Sequence, residues 1–115
     1  MINGRVIAIS GPTTKNANIK VPHIGWTKIE KPKGVCWEKT LLAKFKCEPD
    51  LYFVHSFMAS STEQDVVKSE AVYAGIRFPA YVQKSNIFGC QFHPEKSGTM
   101  GLKIIKNFVS IAHGV

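Results

Sequence analysis

The chain has 115 residues, 44% hydrophobic and 20% charged, which suits one globular domain and excludes two domains of ordinary size. Its net charge is +7, but the lysines are spread from Lys15 to Lys106 without the clustering and interleaved aromatics of nucleic-acid binders, so we expect no nucleic-acid partner. No apolar run approaches the roughly 18 residues of a membrane span, and Met1–Ser10 does not resemble a signal peptide, so we expect no membrane partner and a cytoplasmic location.

The first half of the chain predicts two strands, a loop and a short helix. Arg5–Ser10 is a short β-type run, and residues 11–18 are turn-forming residues that indicate an exposed loop. Lys20–Glu30 alternates weakly and is interrupted by a proline and a glycine, which predicts an irregular strand. The apolar residues of Trp37–Phe45 recur at helical spacing, so this segment is predicted to form one short helix.

The second half predicts four more strands and a final helix. Leu51–Met58 is aromatic and rich in β-forming residues, and Asp65–Ala74 reads as a further strand. Ile76–Gln83 and Ile87–Phe92 are separated by a tight turn, which predicts a hairpin. Ser97–Ala112 is amphipathic, with its first residue placed to cap the helix and an apolar stripe that should pack on a sheet.

These elements indicate a fold of mostly strands with a final amphipathic helix. The chain lacks the strand–helix–strand alternation that would build its own parallel sheet. We therefore expect the second part of an α/β domain rather than a whole one.

The cysteines set limits on metal and disulfide chemistry. Cys36, Cys47 and Cys90 are odd in number and form no C-x-x-C pair. Neither a disulfide framework nor a zinc ribbon is indicated, and we expect no metal and no cofactor.

The sequence GCQFHPEK, residues 89–96, contains the first candidate for chemistry. Pro94 restricts His93 to an extended conformation, so His93 and Glu95 can lean to the same side of a strand. A carboxylate bonded to one ring nitrogen fixes the tautomer and stabilises the ring when the other nitrogen takes a proton. From these residues alone, a catalytic pair and a satisfied structural pair remain open.

Three longer stretches carry a family resemblance. Gln91–Phe108 (QFHPEKSGTMGLKIIKNF) resembles the C-terminal signature of class I glutamine amidotransferases, in which the His-Pro-Glu residues complete a Cys-His-Glu triad. Val21–Trp26 (VPHIGW) and Tyr52–Phe57 (YFVHSF) are similar to the glutaminase subunit of imidazole glycerol phosphate synthase. The resemblance implies a flavodoxin-like α/β domain of which residues 1–115 form the C-terminal part.

The resemblance also implies roles for the residues that match its motifs. His93 is expected to be the general base and Glu95 the carboxylate that orients it. Ser56 and Phe57 are expected to lie beside the substrate glutamine, partly through backbone groups. Four residues are expected to face a cyclase subunit that receives the ammonia in a heterodimer: Ile24, Trp26, Tyr52 and Lys96.

Some positions in the matched motifs are not expected to act chemically. We interpret His23 and His55 as structural residues. Phe57 replaces the tyrosine more usual in the family, so any hydroxyl contact is lost, and Ile24 replaces the commoner methionine at similar volume.

A cysteine nucleophile is missing from this picture. In the family it lies on a strand-to-helix elbow, G-x-C-x-G. Gly34–Glu38 has only the first glycine and follows the VPHIGW motif instead of preceding it, and Cys47 lies in a loop sequence. Cys90 is three positions before His93, which on one strand places the two on opposite faces. We expect the elbow and the oxyanion-hole loop to precede Met1, so that the chain alone is inactive.

Three functions remain open from the sequence. The first is the glutaminase portion of an amidotransferase that passes ammonia to a synthase in histidine biosynthesis. The second is a truncated, non-catalytic module that docks on a cyclase-like partner. The third is the glutaminase half of a related enzyme for nitrogen-bearing surface sugars, and residues 59–72 do not decide between this and the first.

Overall fold

The structure of the chain, a computed structural model, describes residues 2–9, 20–61 and 63–114. Within these ranges there are seven strands, one α-helix and two short 3-10 turns. The strands are β1 (Gly4–Ala8), β2 (His23–Lys28), β3 (Asp50–His55), β4 (Phe57–Ser61), β5 (Val67–Tyr73), β6 (Ile76–Lys84) and β7 (Ile87–Cys90). The helix is α1 (Gly98–Ala112), and the 3-10 turns are Gln64–Val66 and Pro94–Lys96.

The strands form three small sheets. β1 pairs with β4, β2 pairs with β3, and β5, β6 and β7 form the third sheet in that order. Every strand pairing within the described ranges is antiparallel. Two backbone bonds between Glu30 and Glu70, at 2.7 and 2.9 Å, join the second sheet to the third. The expectation of mostly strands, a final helix and no parallel sheet of its own is confirmed.

One hydrophobic core connects the three sheets and the helix. It is built around the fully buried side chains of Phe53 on β3, Phe78 and Tyr81 on β6, and Ile104 on α1. Each such side chain stabilises the fold by about 1.5–3 kcal/mol through the removal of apolar surface from water. The core therefore lies under β3, which carries the segment nearest to the candidate site.

The predicted hairpin of β6 and β7 is confirmed, and the two strands predicted on either side of Gly75, β5 and β6, form a second hairpin. Tyr73 pairs with Ile76, and Lys84 pairs with Ile87, so each connection has two residues. Ala74, Gly75 and Ser85 have positive φ angles of 52°, 80° and 54°, as two-residue hairpin turns require. The predicted loop at residues 11–18, and the end of the first predicted strand at Ser10, lie outside the described residues.

The prediction of a helix at Trp37–Phe45 is wrong. This segment is a series of turns with bonds of the i to i−3 type, such as the amide of Thr40 to the carbonyl of Trp37 at 3.2 Å. Lys39 and Lys44 have positive φ angles of 61° and 68°, which no continuous α-helix accommodates. The helical spacing of apolar residues reflects burial in the core and not helix formation.

The prediction of one continuous strand at Leu51–Met58 is also wrong. The chain bends at Ser56 and divides the segment into β3 and β4, which pair with different strands. The amide of Ile9 donates to the carbonyl of Ser56 at 3.1 Å, so the bend is held from the β1 side. A β-rich sequence predicts extended backbone, but it does not show which partner each half takes.

The final helix forms as predicted, but its contacts differ. Its N-terminal residue Ser97 makes no side-chain capping bond. The predicted apolar stripe does not pack fully on a sheet, because the helix buries Gly101 and Ile104 instead. The outward residues keep 38–51% of their surface exposed: Leu102, Ile105, Phe108 and Val109.

Candidate functional site

The predicted contact between His93 and Glu95 is present. Nδ1 of His93 lies 3.1 Å from Oε2 of Glu95. The backbone of His93 is extended, with φ −104° and ψ 100°, as the following Pro94 requires. The geometry behind the contact was predicted wrongly, however. β7 ends at Cys90, and Glu95 reaches the ring through the 3-10 turn Pro94–Lys96 and not along a strand.

The contact determines which ring nitrogen of His93 carries the proton. An ionised carboxylate can only accept, so Nδ1 of His93 donates to Glu95 and Nε2 carries the lone pair of the neutral ring. This hydrogen bond from His93 lowers the pKa of the Glu95 carboxyl below its usual value. The side chains are 34% and 59% exposed, so the ring remains open to a reactant. The pair can take a proton at Nε2 and stabilise the resulting imidazolium.

The 3-10 turn and its two flanking residues, His93–Ser97, carry the pair, and we call this segment the corner. Hydrogen bonds to the backbone of Tyr52 connect it to β3. The amide of His93 donates to the carbonyl of Tyr52 at 2.9 Å. The hydroxyl of Ser97 donates to the carbonyl of His93 at 2.6 Å and accepts from the amide of Tyr52 at 2.9 Å. Both backbone groups of Tyr52 are therefore bonded to the corner. Ser97, which was predicted to cap the helix, fixes the corner instead.

A glycine in α1 allows the helix to approach the corner closely. A Cβ at Gly101 would lie 1.9 Å from the carbonyl oxygen of Pro94 and 2.8 Å from Cβ of Ser97. No larger residue fits there without movement of the backbone. This role could not be predicted from the sequence, since Gly101 lies inside an ordinary helical pattern.

The predicted substrate residues Ser56 and Phe57 lie at the junction of β3 and β4. Ser56 is half-buried, and Phe57 is 58% exposed. The carbonyl of Phe57 accepts a bond from Nδ1 of His55 at 2.8 Å. Burial lowers the pKa of His55, and the nearby His93 lowers it further. His55 is thus bonded to the junction and is close enough to His93 for the two rings to interact electrostatically.

His23 and His55, interpreted from the sequence as structural residues, form a buried pair. Nδ1 of His23 lies 2.9 Å from Nε2 of His55, and Nε2 of His23 lies 2.9 Å from the hydroxyl of Thr27. Burial, with a smaller contribution from His55, lowers the pKa of His23 to about 4. The sequence did not predict this pair, because its members are 32 residues apart and meet only through strand register.

Three of the four predicted interface residues share one face of the β2–β3 pair, and the fourth lies on the adjoining 3-10 turn. Ile24 and Trp26 alternate on β2 and are 59% and 57% exposed. Trp26 pairs across the strands with Tyr52, and their rings meet edge to face with centroids 5.9 Å apart. Lys96 is exposed on the 3-10 turn of the corner that is bonded to Tyr52. We call these residues the β2–β3 face.

The cysteines do not offer a nucleophile. Cys36 and Cys47 are exposed in turn and loop segments, and neither starts a helix. Burial raises the pKa of Cys90 to about 12, which leaves almost no thiolate at neutral pH. This protonation, and not strand alternation, excludes Cys90, since His93 lies beyond the end of β7.

The described ranges contain neither a candidate membrane span nor a candidate metal site. No helix there is long and apolar enough to cross a membrane. No group of three or more histidine, cysteine, aspartate or glutamate residues there could hold a metal ion.

The comparison with protein families defines the class. Residues 5–112 match the glutamine amidotransferase class-I family, so the chain belongs to that family. The resemblance seen in the three sequence motifs is thereby confirmed.

Within the family, the chain is similar to subunits of imidazole glycerol phosphate synthase. The chain is 40% identical over 114 residues to the imidazole glycerol phosphate synthase subunit HisH of Geobacillus sp. (strain WCH70), covering 99% of this chain and 51% of the relative. It is 37% identical over 112 residues to subunit HisH 1 of Legionella pneumophila (strain Lens), covering 96% and 53%. The HisH subunit of Bacillus subtilis (strain 168) is 37% identical over 112 residues, covering 97% and 50%. The chain spans about half the length of these curated relatives.

Proposed function

We propose that this chain carries the general base and its orienting carboxylate in a glutaminase of the histidine-pathway type. The observation that carries the proposal is the Nδ1–Oε2 contact of 3.1 Å between His93 and Glu95 on a rigid, exposed corner. Membership of the class I family and the similarity to HisH subunits support it.

In this proposal His93 moves the proton and Glu95 holds the ring. Nε2 of His93 accepts the proton of a cysteine thiol as the thiol attacks the carboxamide carbon of glutamine. It then gives the proton to the departing amide nitrogen, which leaves as ammonia. A water molecule hydrolyses the thioester to glutamate and regenerates the thiol. Ser56 and Phe57 would lie beside the glutamine. The thiol and the oxyanion hole are supplied from outside residues 1–115, since no cysteine of the chain has elbow geometry.

The test is ammonia release from glutamine in a mixture of two polypeptides. One is this chain, and the other is the half of the Bacillus subtilis subunit that this chain does not match. The mixture is expected to release ammonia, and His93→Ala to reduce the rate by about 10²–10⁴-fold because general base catalysis is lost. Glu95→Gln is expected to reduce it less, and Lys106→Gln on the exposed side of α1 is the matched control. Equal rates for His93→Ala and wild type would overturn the proposal.

The β2–β3 face favours docking on a cyclase subunit as a second function of the same chain. Exposed Ile24 and Trp26 beside a cross-strand Tyr52 form the kind of aromatic anchor that dominates interfaces. We propose that this face, with Lys96, contacts the cyclase that receives the ammonia. Titration with the Bacillus subtilis cyclase subunit, followed by Trp fluorescence, is expected to show binding that Trp26→Ala weakens by at least about tenfold. Binding unchanged in Trp26→Ala would contradict this assignment.

A further inference from the structure

The buried histidine pair occupies a single, fully bonded position. His23 and His55 face each other in register across β2 and β3. His23 is 2% exposed and lies between the rings of Tyr73 and Phe53, with centroid distances of 4.0 and 5.2 Å. Each of the four ring nitrogens of the pair has a hydrogen-bond partner. The rings therefore have little freedom to rotate.

The partners give the hydrogen bonds one direction. The carbonyl of Phe57 can only accept, so Nδ1 of His55 carries the proton. In the neutral ring Nε2 of His55 then accepts, and Nδ1 of His23 must donate to it. Nε2 of His23 is left as an acceptor for the hydroxyl of Thr27. One chain of bonds thus runs from Thr27 through His23 and His55 to Phe57.

The chain of bonds ends where the predicted substrate residues lie. Phe57 is the first residue of β4, and the preceding Ser56 is the bend at which the polypeptide changes its pairing partner. From the other side, the amide of Ile9 holds the carbonyl of Ser56. The bend is therefore fixed by two backbone carbonyls, one bonded to Ile9 just after β1 and the other to the histidine pair.

We propose that Thr27, His23 and His55 are positioning residues that set the Ser56–Phe57 bend, and with it the glutamine subsite, through this directed chain of hydrogen bonds. The role in substrate binding rests on the proposed function, whereas the direction of the bonds does not. Packing alone would be served by aromatic rings without nitrogens. A buried imidazole nitrogen left without a partner is costly, so a pair with four bonded nitrogens selects one tautomer and one ring orientation.

The first test is the tautomeric state of the rings in the 115-residue chain. Nuclear magnetic resonance of the ring nitrogens at pH 7 is expected to show both His23 and His55 protonated on Nδ1 and neutral. The proposal is overturned if either ring is protonated on Nε2 instead. This outcome does not depend on whether the chain takes part in glutamine hydrolysis.

The second test removes the donor to His55 while keeping a ring in place. His23→Phe is expected to let His55 adopt the Nε2-protonated tautomer in part and to move the carbonyl carbon signal of Phe57 upfield, as its hydrogen bond weakens. Tyr73→Phe is the matched control, because it alters the neighbouring stacked ring without touching a nitrogen. Unchanged signals of His55 and Phe57 in His23→Phe would show that the pair is packing only.

A milder variant covers the case in which His23→Phe does not fold. Thr27→Val removes the hydroxyl that donates to His23 at a half-buried position, and Thr27→Ser restores it. The Nε2 signal of His23 is expected to move downfield in Thr27→Val and to return in Thr27→Ser. Identical His23 signals in both variants would remove Thr27 from the chain and overturn its assigned direction.

A kinetic readout connects the bond chain to glutamine. In the two-polypeptide mixture, His23→Phe is expected to raise KM for glutamine several-fold while kcat changes less. A fall in kcat with unchanged KM would contradict a role in the subsite. If the wild-type mixture releases no ammonia, the proposed function fails, and the tautomer measurements still decide the direction of the bonds.

Discussion

The molecule contains two pairs built around histidine, and they differ in almost every physical respect. His93 and Glu95 are two residues apart and partly exposed, and one hydrogen bond joins the ring of His93 to the carboxylate of Glu95. His23 and His55 are 32 residues apart and buried, and among the described residues they are bonded to each other and to neutral groups. The first pair is suited to exchanging a proton with a reactant. The second is suited to staying neutral and holding a backbone carbonyl.

A carboxylate partner and solvent exposure determine whether a histidine ring can take up a proton. At the corner, Glu95 keeps the ring in one tautomer and can balance a positive charge on it. In the buried pair, a proton would have to enter an apolar site beside a second imidazole, so the pKa of His23 falls to about 4. The same side chain is therefore suited to accept a proton in one setting and to serve as a fixed hydrogen-bond link in the other.

The largest effect is expected from closing the space beneath the corner. Gly101→Ala would place a Cβ 1.9 Å from the carbonyl oxygen of Pro94. Because both atoms belong to the backbone framework, α1 or the corner must move, at a cost of about 3 kcal/mol or more. Urea denaturation measures it, with Ser110→Ala on the exposed side of α1 as control. A loss below about 1 kcal/mol would show that the corner is not rigid.

The buried pair is expected to make stability depend on pH. The folded pKa of His23, about 4, lies below its ordinary value of 6.5, so the unfolded chain binds more protons between these values. Its contribution is complete above pH 6.5 and is lost as the pH falls toward 4, by about 2 kcal/mol at pH 4.5. Urea midpoints at pH 7 and 4.5 test this, and His23→Phe should flatten the difference. An equal loss in His23→Phe would assign the acid sensitivity to other groups.

The two histidine pairs, His93–Glu95 and His23–His55, could not be predicted equally well from the sequence. Pro94 and the spacing of His93 and Glu95 predict their contact, because the three residues are neighbours in the chain. The hairpin of β6 and β7 was predictable from its two-residue turn. The His23–His55 pair and the bend at Ser56 depend on strand partners far away in sequence, which local periodicity does not encode. Gly101 belongs to the same group, since its role appears only when the helix meets Pro94. The turns at residues 37–45 depend on burial in the core.

A smaller effect is expected where the corner is tied to β3. Ser97→Ala removes the acceptor of the Tyr52 amide and one donor to the carbonyl of His93. The amide of Lys96 still donates to that carbonyl at 3.0 Å, so the main loss is one buried unsatisfied group, about 2 kcal/mol. Urea denaturation should show the loss, and the amide proton of Tyr52 should exchange faster with solvent. Unchanged exchange would mean that Ser97 does not fix the corner.

The smallest expected effect on stability is a gain, at a buried polar group that, unlike the two histidine pairs, has no hydrogen-bond partner among the described residues. The hydroxyl of Ser69 on β5 is buried without a hydrogen-bond partner among the described residues. Ser69→Ala removes that unsatisfied group and is expected to stabilise the chain by about 1 kcal/mol. Ala71→Ser, at a fully buried position two residues along the same strand, should destabilise it. A loss of stability in Ser69→Ala would indicate a bonded hydroxyl.

The central claim is that this chain supplies the base while the nucleophile comes from elsewhere. Glutamine hydrolysis by a cysteine-free chain tests this claim most directly. Cys36→Ser and Cys47→Ser are exposed changes, and Cys90→Ala suits a partly buried site. Combined with the unmatched half of the Bacillus subtilis subunit, the cysteine-free chain is expected to release ammonia at the wild-type rate. Addition of His93→Ala is expected to reduce that rate by about 10²–10⁴-fold. Loss of activity in the cysteine-free chain alone, or turnover by the wild-type chain without the second polypeptide, would contradict the account.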